Sequence, residues 1–97
     1  MTAKRIILSV SEALEIPIEV MCSNSRERSV VESRMIAITL IRTKCGTKNR
    51  RPKLQAIGKL FNRHHSTVIN SIGTYEDLYP SNKKFTLKVE RVLERLL

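Results

Sequence analysis

Acidic residues are missing altogether from Ser33 to Tyr75, the middle of this 97-residue chain. Nine basic residues occupy the same stretch: Arg34, Arg42, Lys44, Lys48, Arg50, Arg51, Lys53, Lys59 and Arg63. Outside it, nine cations are matched by all nine carboxylates, so the whole formal charge of +9 resides in the middle. A one-signed field repels itself and points to an anionic partner, nucleic acid first. A basic face kept only for solubility would more naturally contain interspersed Glu and Asp.

The other scarcities exclude several classes. Trp is absent and only Phe61, Tyr75, Tyr79 and Phe85 are aromatic, all on apolar stripes. The core must therefore be aliphatic, and an aromatic platform for single-stranded RNA is lacking. Cys22 and Cys45 form no CxxC pair, which predicts free thiols and a cytoplasmic location. The apolar run Ile6–Leu8 is cut by Ser9 and Glu12, too short for a signal-peptide core, and no stretch reaches membrane-spanning length. Asp77 is the one Asp, so His64 and His65 have no local carboxylate to orient them. Adjacent histidines point to different sides of a helix, and neither cysteine completes a metal-ligand spacing. No G-x-x-x-x-G-K-[ST] occurs. No enzymatic activity, cofactor, metal site, membrane or small-molecule substrate is expected.

What is present is helix. Residues 1–97 are long enough for one domain with a modest core. Thr2 can cap a helix over Thr2–Glu15 that carries Ile6, Ile7, Val10, Ala13 and Leu14 on one side, and Ile16-Pro17 ends it. Pro17 starts a short turn through Met21. Ser23–Ser29 is a polar loop in which Ser25 or Ser29 can cap a long helix to Lys44, and Gly46 is placed to stop it. Val30, Val31, Arg34, Ile38 and Ile41 mark its inner side, widened by Met35, Ala37 and Leu40. After the basic loop Thr47–Lys53, Pro52 suits the first position of a short helix with Leu54, Ile57, Leu60 and Phe61 on its apolar face. A polar break at Asn62–His64 leads into a helix burying Val68, Ile72, Tyr75 and Tyr79, with Gly73 as a weak point. Pro80 ends it, and Ser81-Asn82 can cap a last helix over about 82–97. The expected fold is all-α, a compact bundle of five or six helices with a helix-turn-helix at about 53–79, Trp-repressor-like in type.

In that motif the second helix lies in the DNA major groove. Ser66, Thr67, Asn70, Ser71 and Thr74 form its uncharged face, small donors and acceptors able to approach base edges. His64 and His65 stand at its leading end, where free N–H groups and the helix dipole also suit a phosphate oxygen. The partner expected from these residues is double-stranded DNA.

The segment Ala56-Ile57-Gly58-Lys59-Leu60-Phe61, followed by Arg63-His64-His65-Ser66-Thr67-Val68, resembles the signature of the C-terminal DNA-binding domain (domain IV) of the bacterial replication initiator DnaA. That family shows an Ile-Gly step, a Phe, then Arg-Asp-His-(Ser/Thr)-Thr-Val. The likeness extends upstream through Ile16–Met21, Ser25-Arg26, Arg34 and Ile36-Ala37, about residues 16–75 in all. The resemblance implies that Arg26 enters the minor groove and that His65 and Ser66 face bases in the major groove. It further implies phosphate contacts from Arg34, Arg42, the helix start at Leu54 and Gln55, and Thr67. From the residues themselves we add His64, Thr67 and Asn70 to the base readers and Lys53, Lys59 and Arg63 to the phosphate contacts.

Three features depart from the family. Its Asp falls at His64, which exchanges an acceptor for a group that can donate or accept and leaves the target sequence unassigned. The connector Thr43–Lys53 is longer and more basic, and no ATPase motif accompanies the domain. A stand-alone domain of this type suits a replication accessory of a phage or mobile element. The alternatives are a transcriptional regulator of such an element, or an adaptor that recruits another replication protein. Peripheral membrane binding would need cations and exposed apolar residues on one helix, whereas these cations spread over a loop and several helices.

Overall fold

A computed structural model describes residues 1–97. Six helices and no sheet make up the chain: α1 (Ala3–Leu14), α2 (Ile18–Met21), α3 (Arg28–Lys44), α4 (Leu54–Leu60), α5 (His65–Leu78) and α6 (Lys83–Arg95).

Both ends of α1 follow from local chemistry. The Thr2 hydroxyl accepts from the Arg5 N–H at 3.2 Å, and Glu15 closes the helix in the left-handed region. Asn82 caps α6 in the same way, accepting from the Phe85 N–H at 3.0 Å. These two amphipathic helices pack on each other, burying Ile6 and Val10 against an α6 stripe of Phe85, Val89 and Val92. Full burial of each such side chain is worth about 1.5–3 kcal/mol of transfer free energy.

The axis of the bundle is α3. Every residue from Ser33 to Ile41 is buried, because α1, α2, α4 and α5 all pack around it. The one-sided stripe expected from the sequence is therefore a helix enclosed nearly all round. It begins one residue earlier than expected, and neither Ser25 nor Ser29 caps it. Glu27 holds the cap position without a side-chain bond, Ser29 lies inside the helix, and the Ser25 hydroxyl accepts from the Glu27 N–H within the loop. Gly46, at φ 72°, follows its end as expected, and a Cβ there would lie 2.1 Å from the Arg50 carbonyl oxygen.

Pro52 sits one residue before the α4 cap, Lys53, rather than on the first helical turn. Its carbonyl accepts from Arg42, which ties the basic loop back to α3. Leu60, expected on the apolar face of α4, is 46% exposed. With only seven residues, α4 gives the core Ile57 and the following Phe61, and Leu60 joins Ile7, Leu8 and Ile18 in a shallow surface patch. Helix α5 stops at Leu78 with Tyr79 as its cap, and Tyr75 meets Phe85 edge-on at 5.5 Å between ring centroids. No helix is long and apolar enough to cross a membrane.

Candidate nucleic-acid interface

The turn between α4 and α5 is set by two residues four apart. Asn62 adopts φ 58°, a left-handed conformation that Asn tolerates better than most side chains. The chain then folds back until the Arg63 N–H donates to the Gly58 carbonyl at 2.8 Å. A Cβ on Gly58 would stand 2.4 Å from the Arg63 carbonyl oxygen, so this close approach needs glycine.

His64 then caps α5. Its Nδ1 lies 3.2 Å from the Ser66 N–H, which donates to it, and 2.8 Å from the Ser66 hydroxyl. The imidazole thus takes the acceptor role that a short carboxylate usually fills at this position. Its ring also lies against that of His65, with centroids 4.1 Å apart and the planes tilted by 37°. Beyond the cap, Ser66, Asn70 and Thr74 are exposed, and His65 and Thr67 are half-buried.

A pair of arginines joins this turn to the Ser23–Ser29 loop. Arg34, expected to reach a phosphate, is 6% exposed and directed inward. Its Nε donates to the Met21 carbonyl at 2.8 Å, and its Nη2 to the Ser23 and Ser25 carbonyls at 3.1 and 3.2 Å. Arg63 donates to the same Ser23 carbonyl at 2.6 Å and to the Phe61 and Asn62 carbonyls at 3.1 and 3.3 Å. Two guanidiniums therefore share one carbonyl, and the loop and the turn are stitched together through it. Burial first, and the like charge of Arg63 second, pull the Arg34 guanidinium below its ordinary pKa. Cys22 lies in the same seam, its thiol 3.6 Å from the Leu60 carbonyl; burial raises its pKa while Arg34 and Arg63 oppose the rise.

This seam carries Arg26 to the motif. Arg26 is exposed and lines one cleft with Asn24, Asn62, Arg63 and His64. It lines a second with Arg28 and with Thr74 near the far end of α5. Most of the remaining cations stand at the other end of α3. Arg42 holds the Pro52 carbonyl, Arg51 holds the Thr43 carbonyl, and an isolated bridge pairs Thr47 with Arg50. Lys53 and Lys59 are exposed on either end of α4. Gln55 is exposed, and Leu54 is half-buried against the core with its N–H at the uncapped start of α4. The 17 residues of α3 span about 25 Å, so Arg42 and the basic loop stand at the opposite end of that helix from the Arg26 loop.

The structure thus brings Arg26, Arg63, His64 and the exposed start of α5 to one face. Arg42 and Lys53 belong to the other end of α3, Lys59 stands on α4 next to the seam, and Arg34 lies beneath the surface as its organiser. Sequence reasoning passed over the Gly58–Asn62 pair, although a Gly and an Asn at that spacing across a helix break are a turn signal. It also passed over Arg28, beside Arg26. No three His, Cys, Asp or Glu residues are grouped so as to hold a metal.

A family model described as the bacterial DnaA protein helix-turn-helix matches residues 3–74, which adds α1 to the segment whose likeness was legible by eye. That span holds both the α4–α5 turn and the loop that the two arginines fasten to it. With the motif, its arginine-bearing loop and the supporting bundle accounted for together, the chain belongs to the DnaA helix-turn-helix family of DNA-binding domains.

Proposed function

We propose that this protein binds double-stranded DNA at a specific sequence, with α5 in the major groove and Arg26 in the neighbouring minor groove. Ser66 and Asn70, with His64, His65 and Thr67 around the helix start, face base edges in this arrangement. A narrow A·T-rich minor groove would favour Arg26. Arg42, Lys53, Lys59, the Lys44–Arg51 loop and the N–H groups at Leu54 and Gln55 serve the phosphates. Arg63 and Thr67, on either side of His64 and Ser66, add phosphate contacts beside the reading turn. Arg34 serves indirectly, by fixing the loop that presents Arg26.

One observation carries this reading: Arg26 and His64 line the same cleft, which contains no acidic residue, and His64 and Ser66 are exposed at the leading turn of α5. A role in replication, as an accessory or regulator, is the reading that the DnaA family favours.

Selection of bound duplexes from a random pool is the test. A defined site should emerge, and Ser66→Ala or His65→Ala should cost about 1–3 kcal/mol and relax preference at one or two base pairs. Affinity should fall with salt at a log–log slope of about 0.9 per phosphate, for roughly five to eight contacts. No shift of any duplex at moderate salt would instead favour the adaptor.

A further inference from the structure

Helix α6 lies wholly outside the matched segment, and its charges are unevenly placed. Lys83, Lys84 and Lys88 occupy its first half with no acid, whereas Glu90 and Glu94 alternate with Arg91 and Arg95 in the second. The cationic half faces the start of α3. There Arg28, Glu32, Asn82, Lys84 and Lys88 line an open cleft of about 480 Å3.

The single acid in this cleft is already satisfied. Glu32 accepts from Lys88 at 2.6 Å and lies 3.6 Å from Arg28, with its own side chain only 13% exposed. Lys88 is half-covered in the pairing, while the Arg28 side chain remains 83% exposed and Lys84 is exposed. Three cations against one carboxylate leave the cleft with an excess of two positive charges, and Arg28 and Lys84 are the cations most open to solvent.

Its position gives those cations a direction. Arg28 and Glu32 also form the wall of the neighbouring cleft that contains Arg26 and Thr74 of α5. One continuous surface thus runs from the reading helix, past Arg26, to α6. An arginine in the minor groove has a sugar–phosphate strand on each side, about 6 Å apart. In the proposed docking the strand nearer α5 would meet the motif and the other would pass toward Arg28 and Lys84.

Resting on the DNA-binding reading above, we infer that the α3–α6 cleft is a second phosphate-backbone contact, which extends the footprint beyond the minor groove entered by Arg26. It is sequence-independent and adds to affinity and salt dependence without changing the selected site.

The experiment is fluorescence anisotropy on a selected duplex extended by a helical turn at each end, across a salt series, with the full 97-residue chain. The double variant Arg28→Ala/Lys84→Ala should lower the log–log salt slope by close to two contacts, at about 0.9 each, and leave the selected sequence unchanged. The control Arg91→Ala/Arg95→Ala removes the same charge from the mixed-sign half of α6 and should leave the slope as in the unaltered protein. Lys84→Ala alone, at an exposed position with no hydrogen-bond partner, should lose about one contact if the double variant fails to fold. An unchanged slope, or an equal loss in the control, overturns the inference and leaves the DNA-binding reading standing. Failure of the unaltered protein to bind any duplex overturns both.

Discussion

Arg34→Met separates two roles for one residue, contact with DNA and internal support. The substitution keeps an unbranched side chain of similar length in α3 but removes three hydrogen bonds. The Nε bond to the buried Met21 carbonyl is charge-assisted and worth about 1.5–3 kcal/mol; the two Nη2 bonds are longer, reach carbonyls nearer to water, and add roughly 0.5–1 kcal/mol each. Relief from burying a cation offsets part of this, so a net loss of about 2–4 kcal/mol is expected. A domain of this size has about 5–15 kcal/mol of stability, so it should remain folded at room temperature. The functional effect should pass through Arg26, whose loop would be held by Arg63 alone. In a double-mutant cycle on selected DNA, Arg26→Ala should cost about 1–3 kcal/mol in the unaltered protein and well under half of that beside Arg34→Met. Urea denaturation and binding titrations supply the four corners. If Arg34→Met leaves stability intact and only lowers the salt slope by about 0.9, Arg34 is a phosphate contact and the reasoning is refuted. An Arg26→Ala cost that is equal in both backgrounds would refute the coupling.

The cap of α5 is tested by His64→Ala, expected to lose about 1 kcal/mol in urea, and by His64→Asp, expected to match or exceed the unaltered protein because a carboxylate also suits the helix dipole. Asp performing like Ala would show that the imidazole does not act as a cap. A Cβ at Gly73 meets nothing within 4 Å, so Gly73→Ala should stabilise by up to about 1 kcal/mol, a rise of roughly 4–8 °C in Tm, whereas Gly58→Ala should cost about 2–4 kcal/mol by forcing the turn open. Similar melting shifts in the two variants would contradict the turn geometry. Burial first, and Tyr79 second, raise the Tyr75 pKa, so the fold favours the neutral phenol. That stabilisation is complete below the ordinary tyrosine value of about 10 and is lost as pH climbs through the raised one. Urea midpoints at pH 8 and pH 11 should therefore fall further for the unaltered protein than for Tyr75→Phe, and parallel falls would exclude the linkage.

Much of this architecture was legible from local signals. Thr2, Asn82 and the Ile16-Pro17 step each mark a helix boundary through a bond or a clash within a few residues, and no tertiary knowledge is needed to see them. The motif was legible because its turn is also local. Arg34 was not. In a stretch with nine cations, nothing distinguishes the one that points inward, since its partners are backbone carbonyls of Met21, Ser23 and Ser25, which every residue carries. His64 as a cap escaped for a related reason: imidazole seldom takes that place, and only the geometry at Ser66 reveals it. The enclosure of α3 depends on how four other helices pack, which a single periodic stripe does not encode.

One consequence of the exposed stripe on α5 concerns how such a protein can change. Ser66 bonds only within the cap, and the Thr74 hydroxyl donates only to the Asn70 carbonyl of its own helix. Neither hydroxyl bonds to another helix, so on the proposed reading these positions, unlike the cap His64, are energetically separate from the frame that displays them. On that reading, sequence preference could be rewritten at these positions at little expense to folding.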